Sequence, residues 1–269
     1  MEEDAETALD NVARKSPLVL DELDLRMHDR SLVIARLARP IEYSQRVESV
    51  VTGLGIETLL PRLDDRVRRF LAIWTDDETT HGRALATLLH ELGLPEYQPS
   101  PSRLPPHNHL ANVLGRLSTG AHRVVELVWA TQGAMNEHLA MAAYSRMAEI
   151  CHEIGEHRIR DTLFRRLRSH EAAHKSFYAA HARAVAAQMT PRQRRVARFI
   201  VVKTYAPVGA GAKRDKPALG NTMADLSGGE WDAAIADPVQ QIAERLLADG
   251  RPLEPFVRDA LALCVAAAD

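Results

Sequence analysis

The sequence WTDDETTHG, residues 74–82, lies inside a segment in which apolar side chains recur every three or four positions. That spacing predicts a helix with one buried face. Glu78 and His81 fall on this face, one turn apart, where apolar residues are expected. Because a buried carboxylate without a partner costs several kcal/mol, we expect a neutralising group beside Glu78, and a metal ion is one candidate.

A second copy of the Glu-x-x-His pattern occurs at Glu171 and His174, in another periodic segment. Two helices that each supply Glu-x-x-His, with one Glu from each of two further helices, form the ligand set of ferritin-like di-iron carboxylate bundles. A single match would carry little weight in a chain with many Glu and His residues. A third match, Glu149 to His152, is therefore interpreted as accidental.

Composition is ordinary for a globular protein: of 269 residues, 46% are hydrophobic and 26% are charged. The chain has no run of about 18 apolar residues, so we expect no membrane span. The acidic start also lacks the apolar core of a secretory signal. Because Cys151 and Cys264 match no metal or redox spacing, we expect a reduced, cytoplasmic protein.

No segment shows strand alternation, and the sequence predicts an all-α fold. We expect a single domain over residues 1–269. Its core is predicted to be a ferritin-like four-helix bundle at about 42–205, and 206–269 add C-terminal helices. Residues 1–20 are expected to be loosely packed, and 207–229 to form a loop.

Several helix boundaries are signalled by capping residues and by proline. Pro40 is expected to end a first helix, and the next helix is predicted over about 42–63. Asp64 is the expected N-cap of the helix that carries Glu78 and His81. Gly93, followed by a proline two residues later, predicts its C-terminus.

The bundle needs two more carboxylates, from helices that carry no ligand histidine. Glu137 is the best candidate in the third helix, because small residues around it leave space for a metal centre. Glu126, three turns earlier, is the competitor. In the first helix the candidates are Glu57 and Glu48, and Glu48 allows longer paired helices.

The stretch at 74–82 resembles the second-helix motif of soluble acyl-ACP desaturases, which are ferritin-like di-iron enzymes. That family also has Glu-x-x-Leu-Pro in its first ligand helix, and residues 57–61, ETLLP, match it. The match favours Glu57 over Glu48. The resemblance covers roughly residues 45–205 and implies six metal ligands: Glu57, Glu78, His81, Glu137, Glu171 and His174.

The chain departs from that family at positions near the expected metal. His170 stands where the family usually has Asp, and Ala140 where it tends to have Thr. Trp74 is interpreted as a core residue, with electron transfer to iron as the alternative. Because neighbours of the ligands tune a metal, iron binding is a stronger expectation than desaturation.

Basic residues cluster along two predicted helices. A solvated helix face is the simpler interpretation, and docking of an acidic partner is the functional one. The candidates are Arg158, Arg165, Arg166, Arg192, Arg194 and Arg195. Net charge is −2 and the chain has no recognised nucleic-acid motif, so we expect no nucleic-acid partner.

The sequence thus predicts an oxygen-dependent oxidoreductase with two iron ions, although manganese also suits these ligands. The resemblance implies a desaturase of fatty acyl chains on acyl carrier protein, a ferredoxin-type electron donor and a homodimer. The alternatives are a di-iron hydroxylase or N-oxygenase of a small metabolite, and a ferritin-like metal-binding scaffold without catalysis.

Overall fold

The chain is described here from a computed structural model. The structure describes residues 4–51, 64–98, 118–211, 213–227, 232–247 and 252–268. Within these ranges the regular structure is entirely helical, and the all-α fold class is confirmed. In the described part of the chain, no helix is long and apolar enough to cross a membrane.

The principal helices are numbered in chain order. They are α1 (Ala5–Arg14), α2 (Arg30–Val51), α3 (Asp65–Leu92), α4 (Thr119–Glu153), α5 (Arg165–Ala187), α6 (Pro191–Thr204), α7 (Lys216–Ser227), α8 (Asp237–Leu246) and α9 (Phe256–Val265). A short helical turn, His157–Ile159, and a π-helical turn, Arg160–Phe164, lead into α5. A second π-helical turn, Asp232–Ala236, leads into α8.

Helix α3 has the ends that the sequence predicts. The Asp64 side chain accepts a hydrogen bond from the Val67 backbone N–H, which satisfies one of the unpaired donors of the first turn. Gly93 closes the helix in the left-handed conformation, with φ 62°. Glu78 and His81 lie on its buried face, among leucine, phenylalanine and tryptophan side chains.

Four helices, α2 to α5, pack together and bury two apolar clusters. The pairs α2 with α3 and α4 with α5 have the most extensive contacts, and α2 also contacts α4 while α3 contacts α5. On α3 one cluster contains Phe70 and Trp74, and the other contains Leu85 and Leu88. The Glu-x-x-His residues lie between the two clusters, so a polar layer crosses the middle of an apolar interior.

Two expectations about the first part of the chain were wrong. Pro40 does not end a helix but lies inside α2. A proline in a helix interior costs about 3 kcal/mol, but Val33, Leu37 and Ile41 on the same helix are fully buried and offset this cost. The described part of 1–20, from residue 4 onward, is not loosely packed over its first half, because α1 buries Leu9. The end of the expected helix 42–63 lies outside the described residues.

The prediction of a loop at 207–229 was also wrong over most of that segment, since the segment contains α7. A high content of glycine, alanine, lysine and proline made this segment resemble a loop, but one of its glycines, Gly220, has a packing role. A Cβ atom at Gly220 would lie 2.2 Å from the Cys264 carbonyl oxygen on α9. The two helices can therefore pack closely only because position 220 has no side chain.

Candidate metal centre

Acidic and imidazole side chains from four helices meet in the polar layer. One group of four ligand atoms, all within 4.8 Å of one another, comes from Glu48, Glu78, His81 and Glu171. A second group within the same limit comes from Glu78, Glu137, Glu171 and His174. Glu78 and Glu171 belong to both groups, and each group has one further Glu and one His, so the two groups together could hold two ions.

The first helix contributes Glu48, the candidate that the sequence analysis set below Glu57. The Glu48 side chain is 5% exposed, and its Oε2 lies 3.9 Å from His81 Nδ1. Glu57 lies outside the described residues. Among the described residues, Glu48 completes the first group beside Glu78, His81 and Glu171, so it is the candidate ligand from the first helix.

The two ligand histidines point their Nδ1 atoms at the shared carboxylates. His81 Nδ1 lies 3.0 Å from Glu171 Oε1 and 4.0 Å from Glu78 Oε1. His174 Nδ1 lies 3.4 Å from Oε1 of Glu78 and 3.4 Å from Oε2 of Glu171. Both rings are fully buried, so bulk water would not compete with these atoms for a cation bound between them.

The outer nitrogens of the same rings have partners that set their tautomers. His174 Nε2 lies 2.9 Å from Asp77 Oδ2 and donates to it. His170 Nε2 donates to the Ser16 carbonyl at 2.9 Å, so its Nδ1 accepts from His81 Nε2 at 3.0 Å. Burial lowers the pKa of His170 to about 4 and keeps this ring neutral. With these outer nitrogens protonated, the Nδ1 atom of each ring faces the centre, and each could coordinate a cation there once it carries no proton.

Aromatic donors hold the two carboxylates that are not shared. Trp74 Nε1 donates to Glu137 Oε1 at 2.9 Å, and the Tyr144 hydroxyl donates to Glu48 Oε1. Each of these carboxylates has one oxygen fixed, which restricts the position of the other. Trp74 is thus a buried core residue that also contacts a ligand directly.

The carboxylates cannot all be ionised side by side in this interior. Burial raises the pKa of Glu78 well above its usual value, and the charges of Glu48 and Glu171 add to the rise. Burial likewise raises the pKa of Glu137, reinforced by Glu171. For Glu171 burial acts in the same direction, but hydrogen bonding with Glu137 and the charge of His81 outweigh it and lower the pKa.

Four polar atoms of the centre are buried without a hydrogen-bond partner among the described residues: Glu48 Oε2, Glu78 Oε1, His81 Nδ1 and Glu171 Oε1. Orphaned polar atoms of this kind destabilise a fold by about 1–3 kcal/mol each. Cations coordinated by these atoms would remove that cost and neutralise the carboxylates. Mixed carboxylate and imidazole ligands suit iron or manganese, so the residues present fit the expected metals.

No family model, curated protein or solved structure matches this chain. What the centre does must therefore be inferred from its own chemistry and surroundings.

A cavity of about 320 Å³ reaches the centre at Glu48. Its walls are mainly apolar and come from α2, α4, α7 and the turn before α8. Ala140, the position where the resembling family tends to have Thr, lies on this wall with Tyr144. The lining also includes the exposed Glu149 and its ion-pair partner Arg146, at 3.1 Å, so the cavity extends to the surface there.

The six arginine docking candidates fall into two sets. Near α5, Arg165 pairs with Asp161 at 2.9 Å and Arg166 with Glu22 at 3.2 Å, while Arg158 lies 3.7 Å from Asp24. Carboxylates of the chain itself therefore already balance these charges.

The second set lies on α6, a helix without acidic residues. Arg192 and Arg195 flank Val196 and Phe199, which are 45% and 63% exposed. We call these four residues the α6 patch. Arg194, the remaining candidate, is half-buried and lies outside the patch.

The sequence analysis missed Asp77, although a local signal was present. Asp77 immediately precedes Glu78, and His170 immediately precedes Glu171. Each of these residues contacts the ligand histidine of the other helix, so the two motifs support each other crosswise. The third Glu-x-x-His match is accidental as expected, because His152 is exposed and lies 2.9 Å from Arg160 Nη1.

Proposed function

We propose that this protein is an oxygen-dependent di-iron oxidoreductase that acts on an apolar substrate. The observation that carries the proposal is the pair of ligand groups that share Glu78 and Glu171, next to an apolar cavity. The proposed ligands are Glu48, Glu78, His81, Glu137, Glu171 and His174. Manganese remains the alternative metal. This arrangement also supports the proposal of a ferritin-like bundle, and a cytoplasmic location is proposed from the sequence alone.

When bound, two iron ions supply the activation of O2 that oxidation of an unactivated C–H bond requires. The residues of the chain itself would position the substrate and exclude water from the site. The cavity walls would orient an apolar substrate with its reacting carbon beside Glu48, and α7 would cover it from water. Trp74 and Tyr144 keep Glu137 and Glu48 oriented while the substrate binds.

The resemblance in the sequence supports desaturation of a fatty acyl chain on acyl carrier protein as the specific reaction. A second candidate, oxidation of a free small metabolite by a hydroxylase or N-oxygenase, is favoured by the cavity rim. Arg146 there is already paired with Glu149 and Glu153, at 3.1 and 2.7 Å. Among the described residues that line the cavity, the rim therefore offers no unbalanced positive charge to an acidic carrier.

The α6 patch supports a docking partner with an acidic surface, and its position favours an electron donor over a carrier. Helix α6 runs beside residues 120–132 of α4, since Gln132 Nε2 lies 3.3 Å from Thr204 Oγ1 and Gly120 adjoins Gln193. The cavity is lined by residues 139–149 of the same helix. At 1.5 Å per residue the two segments are centred about 27 Å apart, so we propose a ferredoxin-type donor at the patch. A homodimer remains a proposal from the resemblance alone.

The test begins with anaerobic titration of the purified protein with Fe²⁺. We expect about two ions per chain and O2 consumption when a reductant is added. Mass spectrometry of acyl-ACP incubated with the loaded protein would then show a loss of two hydrogens for a desaturase. No bound iron would overturn the proposal, and tight iron binding without O2 consumption would leave only the scaffold alternative.

Filling the cavity should separate substrate binding from metal binding. Ala143 lines the cavity and is half-buried, so Ala143→Phe is expected to reduce substrate turnover at least about 10-fold while the iron content stays unchanged. Ala72→Phe, at an exposed position of α3, is the matched control. Steady-state turnover and metal analysis measure the two effects, and unchanged turnover would show that the substrate binds elsewhere.

A further inference from the structure

The chain segment that follows α1 contacts the outer partners of both ligand histidines. The Lys15 side chain, 10% exposed, forms an ion pair with Asp77, which accepts from His174. One residue later, the Ser16 carbonyl accepts from His170, which in turn accepts from His81. Two separate hydrogen-bond chains, one from each ligand histidine, thus end on adjacent residues.

Helix α1 holds this segment in place by ordinary apolar packing. Ala8, Leu9 and Val12 lie in the same apolar cluster as Phe70 and Phe177, and α1 contacts both α3 and α5. Lys15 Nζ also donates to the Val12 carbonyl at 3.2 Å, which links the end of α1 to the ion pair. The position of residues 15 and 16 is therefore fixed independently of the centre.

We propose that Lys15 and Ser16 are positioning residues of the metal centre. Lys15 holds Asp77, and through it the ring of His174. The Ser16 carbonyl holds His170, and through it the ring of His81. The segment thereby orients both ligand rings and covers the side of the centre that faces away from Glu48 and the cavity. This inference rests on the proposed function in one respect, which is that ions bind at both ligand groups.

Position 15 can be tested without disturbing any ligand. In Lys15→Met the apolar stem remains but the charge that holds Asp77 is lost. Loss of a partner behind a metal ligand typically weakens metal binding about 10- to 100-fold. With Co²⁺ as the probe, we expect release to the chelator EDTA to be at least about 10-fold faster than from the wild type. Lys15→Arg should restore slow release, because it keeps the positive charge.

The matched control is Arg14→Met, at the adjacent position. The Arg14 side chain is 79% exposed and forms an ion pair with Asp10 at 3.4 Å, so its removal should not change Co²⁺ release. Double-mutant comparison tests the route of the effect. If Lys15 acts through Asp77, Lys15→Met combined with Asp77→Asn should release Co²⁺ no faster than Asp77→Asn alone.

A spectroscopic measurement separates positioning from a general loss of stability. In the Co²⁺-loaded protein, the ring N–H protons of His81 and His174 should give paramagnetically shifted NMR signals that exchange slowly with water. Lys15→Met should speed the exchange of the His174 signal and leave that of His81 unchanged. Faster exchange of both signals, or of neither, would overturn the assignment of Lys15 to His174.

The outcomes distinguish this inference from the proposed function. If a Glu78 variant binds as much Co²⁺ as the wild-type protein, the metal centre itself is contradicted. A wild-type protein that binds two ions, but releases them at the same rate as Lys15→Met, would overturn only the role of Lys15.

Discussion

Replacing Glu78 with glutamine is expected to affect the metal-free and iron-loaded protein in opposite directions. Burial raises the pKa of Glu78 well above its usual value and so favours the neutral carboxyl group in the metal-free protein, the form that glutamine resembles. The metal-free variant should unfold at the wild-type temperature or above it. In the loaded protein both ligand groups would lose a shared carboxylate, and iron affinity should fall about 100-fold or more. Calorimetry with and without Fe²⁺, under anaerobic conditions, measures both effects.

The same substitution should alter the pH dependence of stability in the metal-free protein. A carboxyl group whose pKa is higher in the folded than in the unfolded state stabilises the fold at low pH. That contribution is lost as the pH rises through the folded-state pKa. Because Glu78→Gln removes this titration, the variant should lose less stability with rising pH than the wild type. Glu91→Gln, exposed on the same helix, should behave as the wild type does.

Full retention of iron by Glu78→Gln would contradict its bridging role. A metal-free variant that unfolds well below the wild type would show instead that Glu78 is ionised and needed for the fold itself.

Replacing Glu48 with glutamine should remove one of two iron ions, whereas the same change at Glu57 should remove neither. Glu48 and His81 are the unshared ligands of one group. Glutamine keeps the hydrogen bond from Tyr144 but loses the charge that attracts the ion. We therefore expect iron content to fall from about two to about one per chain and O2 consumption to approach background. Iron analysis and an oxygen electrode measure these changes.

Glu48→Gln and Glu57→Gln are the same chemical change nine residues apart, so each is the control for the other. Loss of iron from Glu57→Gln alone would restore the ligand set that the family resemblance implies. Loss from both variants would mean that the first helix supplies two ligands.

Local signals predicted much of the fold, and tertiary contacts explain the failures. Asp64 and Gly93 mark the ends of α3 because capping uses only neighbouring backbone groups. Pro40 and Gly220 were misleading because their local effect is opposed by packing with distant parts of the chain. Buried apolar neighbours keep α2 helical through Pro40, and a carbonyl of α9 occupies the space beside Gly220.

The same distinction applies to the centre. A Glu-x-x-His motif is a local pattern, and the structure brings both copies together. The first-helix carboxylate depends on where α2 crosses α3, which sequence cannot fix. Glu48 lies 30 residues before Glu78 (78 − 48 = 30), which allows α2 and α3 to pair over a longer length than Glu57 would. Lys15 was unpredictable, because nothing near it in sequence indicates a contact with Asp77.

The supports behind the two ligand rings are chemically unequal. His174 donates to Asp77, a carboxylate, whereas His81 donates to His170, a neutral ring. A carboxylate pulls the imidazole proton toward itself and makes the ring a stronger electron donor, and a neutral ring does so far less. The two iron ions of a loaded centre would therefore differ in reduction potential, and the ion beside His174 would be the easier one to oxidise. Such a centre would have two sides of unequal electron-donating strength, set by the two residues that precede Glu78 and Glu171.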